Sequence, residues 1–418
     1  MTRCSAPWSA SRSRRPDPLP AHERAGRPAP DLSLRRITDG VFRAAPRLEL
    51  LPSRRLSRPL RASLGALAQD AYGVLRSRAS PPVNLAAICH DTARLFRALQ
   101  RPGRLPALVT DGDPDGGNLV AATLVLDGLL ELETDRGFVS GADAFPHVFD
   151  GPPAPLPRHR TGRLSVEALQ YGHRLGLTDA GALTARLYRY HTLPASPRLE
   201  RWEPLLVTAV RSLLARPAPP ATAPWRPPRW PASTAGWLAW TRIASAPERG
   251  RPETPCKLYL SPACDDLLEV LPLAVDILLR SRATAFKLGN GLSGVLRPDK
   301  LVAYFSRFAD LLETARVLEA SLAGTRAHGV PFTASLTSDG LLSWGRDPAP
   351  RVRTRWWEAG ESWRWWVTGR LAGALLVASR ARAGSIEPWR FALQRLRLDG
   401  VDSETFAPGP ARGLSMAP

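Results

Sequence analysis

The residues best suited to chemistry in this chain are also its scarcest cations. Only three lysines occur, Lys257, Lys287 and Lys300, against 54 arginines. The load of Ala, Arg and Pro points to a G+C-rich gene, in which most positions needing only a positive charge have become arginine. Arginine keeps its proton in proteins, whereas a buried lysine can release it and act as a base. Three lysines retained between positions 257 and 300 therefore mark a candidate reactive site; the bland alternative is chance survival on a surface. If each lies in or beside neighbouring strands, their ammonium groups can converge, lower one another's pKa and attract an anion. Lys257 and Tyr259 fall on one strand face because side chains alternate with period two, so Tyr259 can donate a proton beside the cations. Further on, Ser362 is placed to cap a helix with Arg364 in its first turn, an arrangement that holds phosphate. Base, acid and phosphate clamp together describe β-elimination: remove a Cα proton, stabilise the enolate, expel phosphate.

Several short motifs resemble a known family when taken in order. Lys257-Leu258-Tyr259, Ala285-Phe286-Lys287, Arg297-Pro298-Asp299-Lys300-Leu301-Val302-Ala303-Tyr304, Gly329-Val330-Pro331-Phe332-Thr333 and Glu361-Ser362-Trp363-Arg364 are similar in order and spacing to the Hop-type effector family. That family is related to the phosphothreonine lyases and to the lyase domains of lanthipeptide synthetases. Upstream, Arg186-Leu187-Tyr188-Arg189-Tyr190-His191 resembles a helical segment of the same proteins. The resemblance covers roughly residues 180–380. It implies an α+β fold with a phosphothreonine-lyase-like carboxy-terminal domain after a mostly helical amino-terminal region. It also implies a lyase acting on phosphoserine or phosphothreonine of a ribosomally made precursor peptide, as in class V lanthipeptide and thioamitide biosynthesis, with a separate kinase and cyclase as partners. Carried over by residue, Lys287 takes the Cα proton, Lys257 stabilises the enolate and phosphate, and Arg297 or Lys300 with Tyr304 and Arg364 holds the phosphate. Phosphothreonine lyases have Lys-x-His where this chain has Lys257-Leu258-Tyr259, so the general acid passes to Tyr259 or Tyr304. A catalytically silent peptide-binding relative is the alternative.

The elements that must position these residues follow from periodicity. Leu60–Leu99 reads as helical from apolar residues at three- and four-residue steps, and helices resume at Val166–Leu175 and Ala180–Tyr190. Asp111–Asn118 fails as a calcium loop, because its twelfth position is Ala122 and not a bidentate Glu. It reads instead as a turn before Leu119–Leu132 and a strand at Gly137–Ser140, a small β unit. Strands are expected at Gly236–Ala244, Lys257–Leu260, Ala285–Leu288 and Leu301–Phe305, and helices at Asp265–Ser281, Asp310–Ala323 and Ser362–Ser379. The turn Gly289–Gly294 lacks the lysine and following helix of a phosphate-binding loop. The division predicted is a disordered Arg/Pro-rich head (1–58), a mainly helical domain (59–215), a Pro-rich linker (216–232), the α+β domain (233–395) and a flexible tail (396–418).

Composition bounds the rest. At 418 residues and 44% hydrophobic, the chain can bury more than one core. Its formal net charge of +19 is uneven, since residues 1–60 hold 13 arginines against five acids. Such a head is most simply a solvated tail; binding to nucleic acid is the lesser reading, and the remaining positive balance suits an anionic substrate. Four cysteines make no disulfide framework, and neither they nor the histidines show metal-ligand spacing, so no metal and no cofactor are expected. His328, before a Gly-Val-Pro run, reads as a turn residue rather than a catalytic acid. No apolar segment long enough for a membrane span or a secretory signal is visible, and a cytoplasmic protein is expected. Trp363, Trp366, Leu371 and Ala374 fit one buried helix face, leaving Trp357 and Trp365 for a peptide groove.

Overall fold

The computed structural model describes residues 33–63, 71–78, 84–110, 113–215, 225–226, 228, 236–243, 255–348, 362–382 and 386–409. Among the described residues, helices and sheets build two large hydrophobic cores. The first core surrounds two small antiparallel sheets. Strands β1 (Phe42–Ala44), β2 (Leu48–Pro52), β3 (Gly73–Ser77), β4 (Asn84–Ile88), β5 (Leu130–Thr134) and β6 (Gly137–Val139) pair in the orders β1-β5-β6 and β2-β3-β4. Two expectations change here. The head is folded from residue 33 onward, because Phe42, Ala44 and Leu48 are buried and pair into sheets that a count of arginines does not reveal. The run Leu60–Leu99 is not continuous helix: β3 and β4 form an antiparallel pair within it, and helix returns only at His90–Ala98. Asp113 caps the helix Pro114–Leu126 by accepting from the Gly116 N–H, so the expected turn is a helix start. The helix Ala180–Arg189 lies where periodicity put it, Arg160–Arg174 starts ahead of the expected Val166, and Pro197–Ala215 is an additional helix.

The second core is the apolar face of one antiparallel sheet. Its strands are β7 (Trp225–Arg226), β8 (Trp237–Arg242), β9 (Cys256–Leu260), β10 (Ala285–Gly289), β11 (Leu301–Phe305), β12 (Ala334–Ser335) and β13 (Leu342–Arg346), in the order β12-β13-β9-β11-β10-β8-β7. Period-two alternation sorts the side chains. Leu238, Trp240, Leu258, Leu260, Phe286, Leu288, Leu301, Ala303 and Phe305 fill one face and pack with the helices Leu267–Arg280 and Phe308–Ser321. Burying one such large side chain stabilises the fold by about 1.5–3 kcal/mol, so this face anchors the sheet. The opposite face carries Trp237, Lys257, Tyr259, Lys287, Val302 and Tyr304. The turn expected to lack a helix carries a short one, Gly291–Val295. A Cβ on Gly289 would collide with the Gly294 backbone, and the reverse also holds, so the turn closes only with both glycines.

The chain then returns to its first core. Trp363–Ala378 is buried almost all round, and Trp363, Trp366, Leu371 and Ala374 sit in the same cluster as Phe42, Leu169 and Leu187. A further helix, Pro388–Leu398, follows in that cluster, and Leu396, Leu398, Val401 and Phe406 are buried, so the expected flexible tail is folded to residue 409. The Pro-rich linker, apart from Trp225, Arg226 and Pro228, and Trp357 and Glu361 lie outside the described residues. Among the described residues no helix is long and apolar enough to cross a membrane.

Candidate functional site

The polar face of the sheet brings two of the three lysines to one place. In the ladder β9-β11-β10, Lys257 pairs directly with Tyr304, while Lys287 pairs with Val302, two residues along and on the same face. The Tyr304 ring therefore lies between the two amines, 5.3 Å from Lys257 Nζ and 5.7 Å from Lys287 Nζ. Lys287 Nζ also sits 4.2 Å from the centre of the Trp237 ring, on the neighbouring strand β8. Burial, followed by the charge of Lys257, pushes the Lys287 amine down to about 8. A fraction of it is then neutral and basic near neutral pH. Burial also raises the pKa of Tyr304, with the charge of Asp347 adding to it, and raises that of Tyr259 well above the ordinary phenol value. Both phenols therefore stay protonated; the Tyr304 hydroxyl can donate a hydrogen bond, while the raised pKa makes each a poor donor of the proton itself.

Two carboxylates, neither singled out by the sequence, organise the cations. Asp299 is buried and collects Arg297 Nε and Nη2 at 2.9 and 3.0 Å, the Tyr188 hydroxyl at 3.2 Å, and an ion pair with Arg364 Nη1 at 2.8 Å. Burial alone would raise its pKa, but Arg364 and Arg297 outweigh that and hold the carboxyl well below the usual carboxylate range. Asp347 pairs through Oδ2 with Lys257 Nζ at 2.7 Å and accepts the Trp363 backbone N–H on Oδ1 at 2.8 Å. Lys257, Arg297 and Arg364 against these two carboxylates leave one net positive charge, or two when Lys287 is protonated. That balance favours an anion.

The remaining expected residues are placed differently. Lys300 does not join the other lysines: its amine, wholly buried, donates to the Pro262 carbonyl and to His328 Nδ1 at 2.7 and 2.8 Å. It stands one residue ahead of β11, and the Pro262 carbonyl and His328 hold its amine away from the cluster. Arg364 does stand in the first turn of its helix, but it is 1% exposed and also donates to the carbonyls of Pro331 and Tyr188. It braces the floor of the site, while Arg297, half-buried, is nearer to solvent. Tyr259 lies on the same face as Lys257, as period two requires, but is buried against Val302 and Val330. His328 is buried too. Its Nε2 lies 2.9 Å from the His191 carbonyl, which can only accept, so Nδ1 is left to accept from Lys300.

Four functional neighbours escaped the sequence reading: Tyr188, Trp237, Asp299 and Asp347. Asp299 and Tyr188 had a signal, since each lies within a motif already noted, residues 297–304 and residues 186–191 respectively. Tyr188 stands in the helix Ala180–Arg189 and stacks its ring edge-on to Trp365 at 5.2 Å, joining the first core to the site. The close approach of that core is visible at Gly345, the cross-strand partner of Lys257, where a β-carbon would run into the Trp363 indole.

No protein-family model and no curated protein matches the chain. Among solved structures, the effector protein from Pseudomonas syringae pv. syringae strain 61 is similar over 61% of this chain and 99% of its own, at 14% identity and a TM-score of 0.39. The type III effector/phosphothreonine lyase OspF from Shigella flexneri covers 35% of this chain and 89% of its own, at 12% identity and a TM-score of 0.25. The phosphothreonine lyase SpvC from Salmonella covers 49% and 98%, at 10% identity and a TM-score of 0.26. Likenesses this distant assign neither fold nor site, and the functional reading rests on the geometry of this chain's own residues.

Proposed function

We propose that this protein is a carbon–oxygen lyase that eliminates phosphate from phosphoserine or phosphothreonine in a ribosomally synthesised peptide, leaving a dehydroamino acid. The observation that carries the reading is the Lys287 amine, held at about 8 beside Lys257 and Tyr304 on an anion-attracting sheet face. Neutral Lys287 Nζ takes the Cα proton. The C–H electron pair becomes the Cα=Cβ bond, and the Cβ–O bond breaks with its electrons on the departing oxygen. Lys257 and Arg297 offset the negative charge that develops on the carbonyl and the phosphate. Tyr304 donates a hydrogen bond to the leaving oxygen, and the proton collected by Lys287 ends on phosphate. The products are dehydropeptide and hydrogen phosphate. The sequence resemblance supports a precursor peptide as substrate, a separate kinase and cyclase as partners, and a cytoplasmic setting.

A second reading, a catalytically silent peptide-binding protein, is favoured by one observation: Tyr259 stands where the resemblance calls for histidine, and it is buried. Mass spectrometry of phosphoserine and phosphothreonine peptides incubated with the protein separates the two. Loss of phosphoric acid, giving a dehydrated residue, is the expected result. Phosphate release with the hydroxyl restored refutes the elimination. An unchanged peptide, also in the presence of its kinase and leader sequence, selects the binding role.

A further inference from the structure

One of the two carboxylates of this site, Asp347, stands where an incoming anion could sit. The helix Trp363–Ala378 has no acidic residue in its first turn, and Ser362 at its N-cap makes no side-chain capping bond. The positive end of a 16-residue helix is served instead by Asp347, which comes from the end of β13 and accepts the Trp363 N–H. The other oxygen of the same carboxylate holds Lys257 Nζ. A sheet cation and a helix-terminal N–H thus converge on one small anion, which is the donor set a phosphate group takes.

The two carboxylates of the site differ in a way that bears on exchange. The Asp299 side chain is 6% exposed and is locked by two arginines and a tyrosine. The Asp347 side chain is 23% exposed and spends one oxygen on each of its two partners. It can turn toward water and be rehydrated when another anion arrives. We infer that Lys257 Nζ and the Trp363 N–H form the phosphate subsite, and that Asp347 is its resident counter-ion, displaced by a dianionic phosphate. This rests on the reading of the site as one for phosphorylated peptide. A dianion brings twice the charge of Asp347 and three acceptor oxygens, whereas an acidic side chain of a peptide brings only what Asp347 already supplies. Asp347 therefore acts as a threshold that admits phosphorylated residues and turns away aspartate and glutamate.

The test is isothermal titration of the full chain with inorganic phosphate, compared with acetate, in wild type and Asp347→Asn. Asparagine keeps an oxygen for the Trp363 N–H and removes the competing charge. Phosphate affinity is expected to rise about tenfold, and acetate, barely bound by wild type, to become measurable. Adding Lys257→Gln to Asp347→Asn should abolish the gain. Equal or weaker phosphate binding by Asp347→Asn overturns the assignment. Should that variant not fold, Asp347→Ser, which also caps the helix without charge, carries the same expectation. Binding is read without turnover, so the two ideas fail separately. Tighter phosphate with no elimination from any peptide keeps the subsite and sinks the lyase, and elimination without tighter phosphate does the reverse.

Discussion

Lys287 and Lys300 make an instructive pair. Burial pushes both amines down to about 8, yet they stand in different surroundings. Lys300 is wholly enclosed, with acceptors from Pro262 and His328 already in place. Lys287 is half-buried on a sheet face, its amine against aromatic rings. A lowered pKa records the cost of burying charge and does not by itself mark a base. What distinguishes a reactive amine is a low pKa together with a position a substrate can reach. The acceptors around Lys300 make it a structural residue. Through His328, which exchanges hydrogen bonds with His191, it fastens the end of the helix bearing Tyr188 to the rim of the sheet.

That contrast can be broken most sharply at Lys287. Lys287→Arg keeps the charge and the stacking on Trp237 but removes the base. Elimination is expected to fall about 10³-fold while phosphate binding persists, as single-turnover assays and titration would show. A variant within tenfold of wild type would leave Lys287 without a catalytic role. Lys300→Met should act in the opposite sense. It strands two buried acceptors and is expected to lower unfolding free energy by roughly 2–3 kcal/mol in urea titrations, with kcat little changed at temperatures where the variant is folded. Loss of turnover in a stably folded Lys300→Met would erase the distinction between the two lysines. The smallest effect concerns pH. The reactive form of Lys287 is the neutral one, so the rate should climb as pH rises through about 8 and level off above it. Lys257 contributes to the depression, so Lys257→Gln should move the midpoint upward, besides slowing the reaction. An unmoved midpoint in the pH–rate profile would mean that the charge of Lys257 does not act on this amine.

Much of the sheet was legible because alternation is a local property. The strands carrying Lys257, Lys287 and Tyr304 have apolar residues at every second position, and that pattern both forms the strand and decides which side chains leave the core. The same logic failed at the amino terminus. There, arginine-rich composition concealed β1 and β2, whose few apolar side chains find their partners only in β5 and β3. A three- and four-residue rhythm likewise concealed the β3–β4 pair, since an apolar spacing that fits a helix can also occur across two short strands. The helix Trp363–Ala378 could be read as buried on one face. That it lies in the first core, with its start over the sheet, could not.

The sequence by itself determined the scarce amines, the strands that bear two of them, and the shared face of Lys257 and Tyr259, because residue chemistry and a period of two are both local. Tertiary structure alone decided that Lys300 turns aside to His328, that Asp299 gathers Arg297, Arg364 and Tyr188, and that Asp347 joins Lys257 to the start of a distant helix. Most of these pairings join groups far apart along the chain. Such pairs are set by how two cores dock, and no periodicity records that.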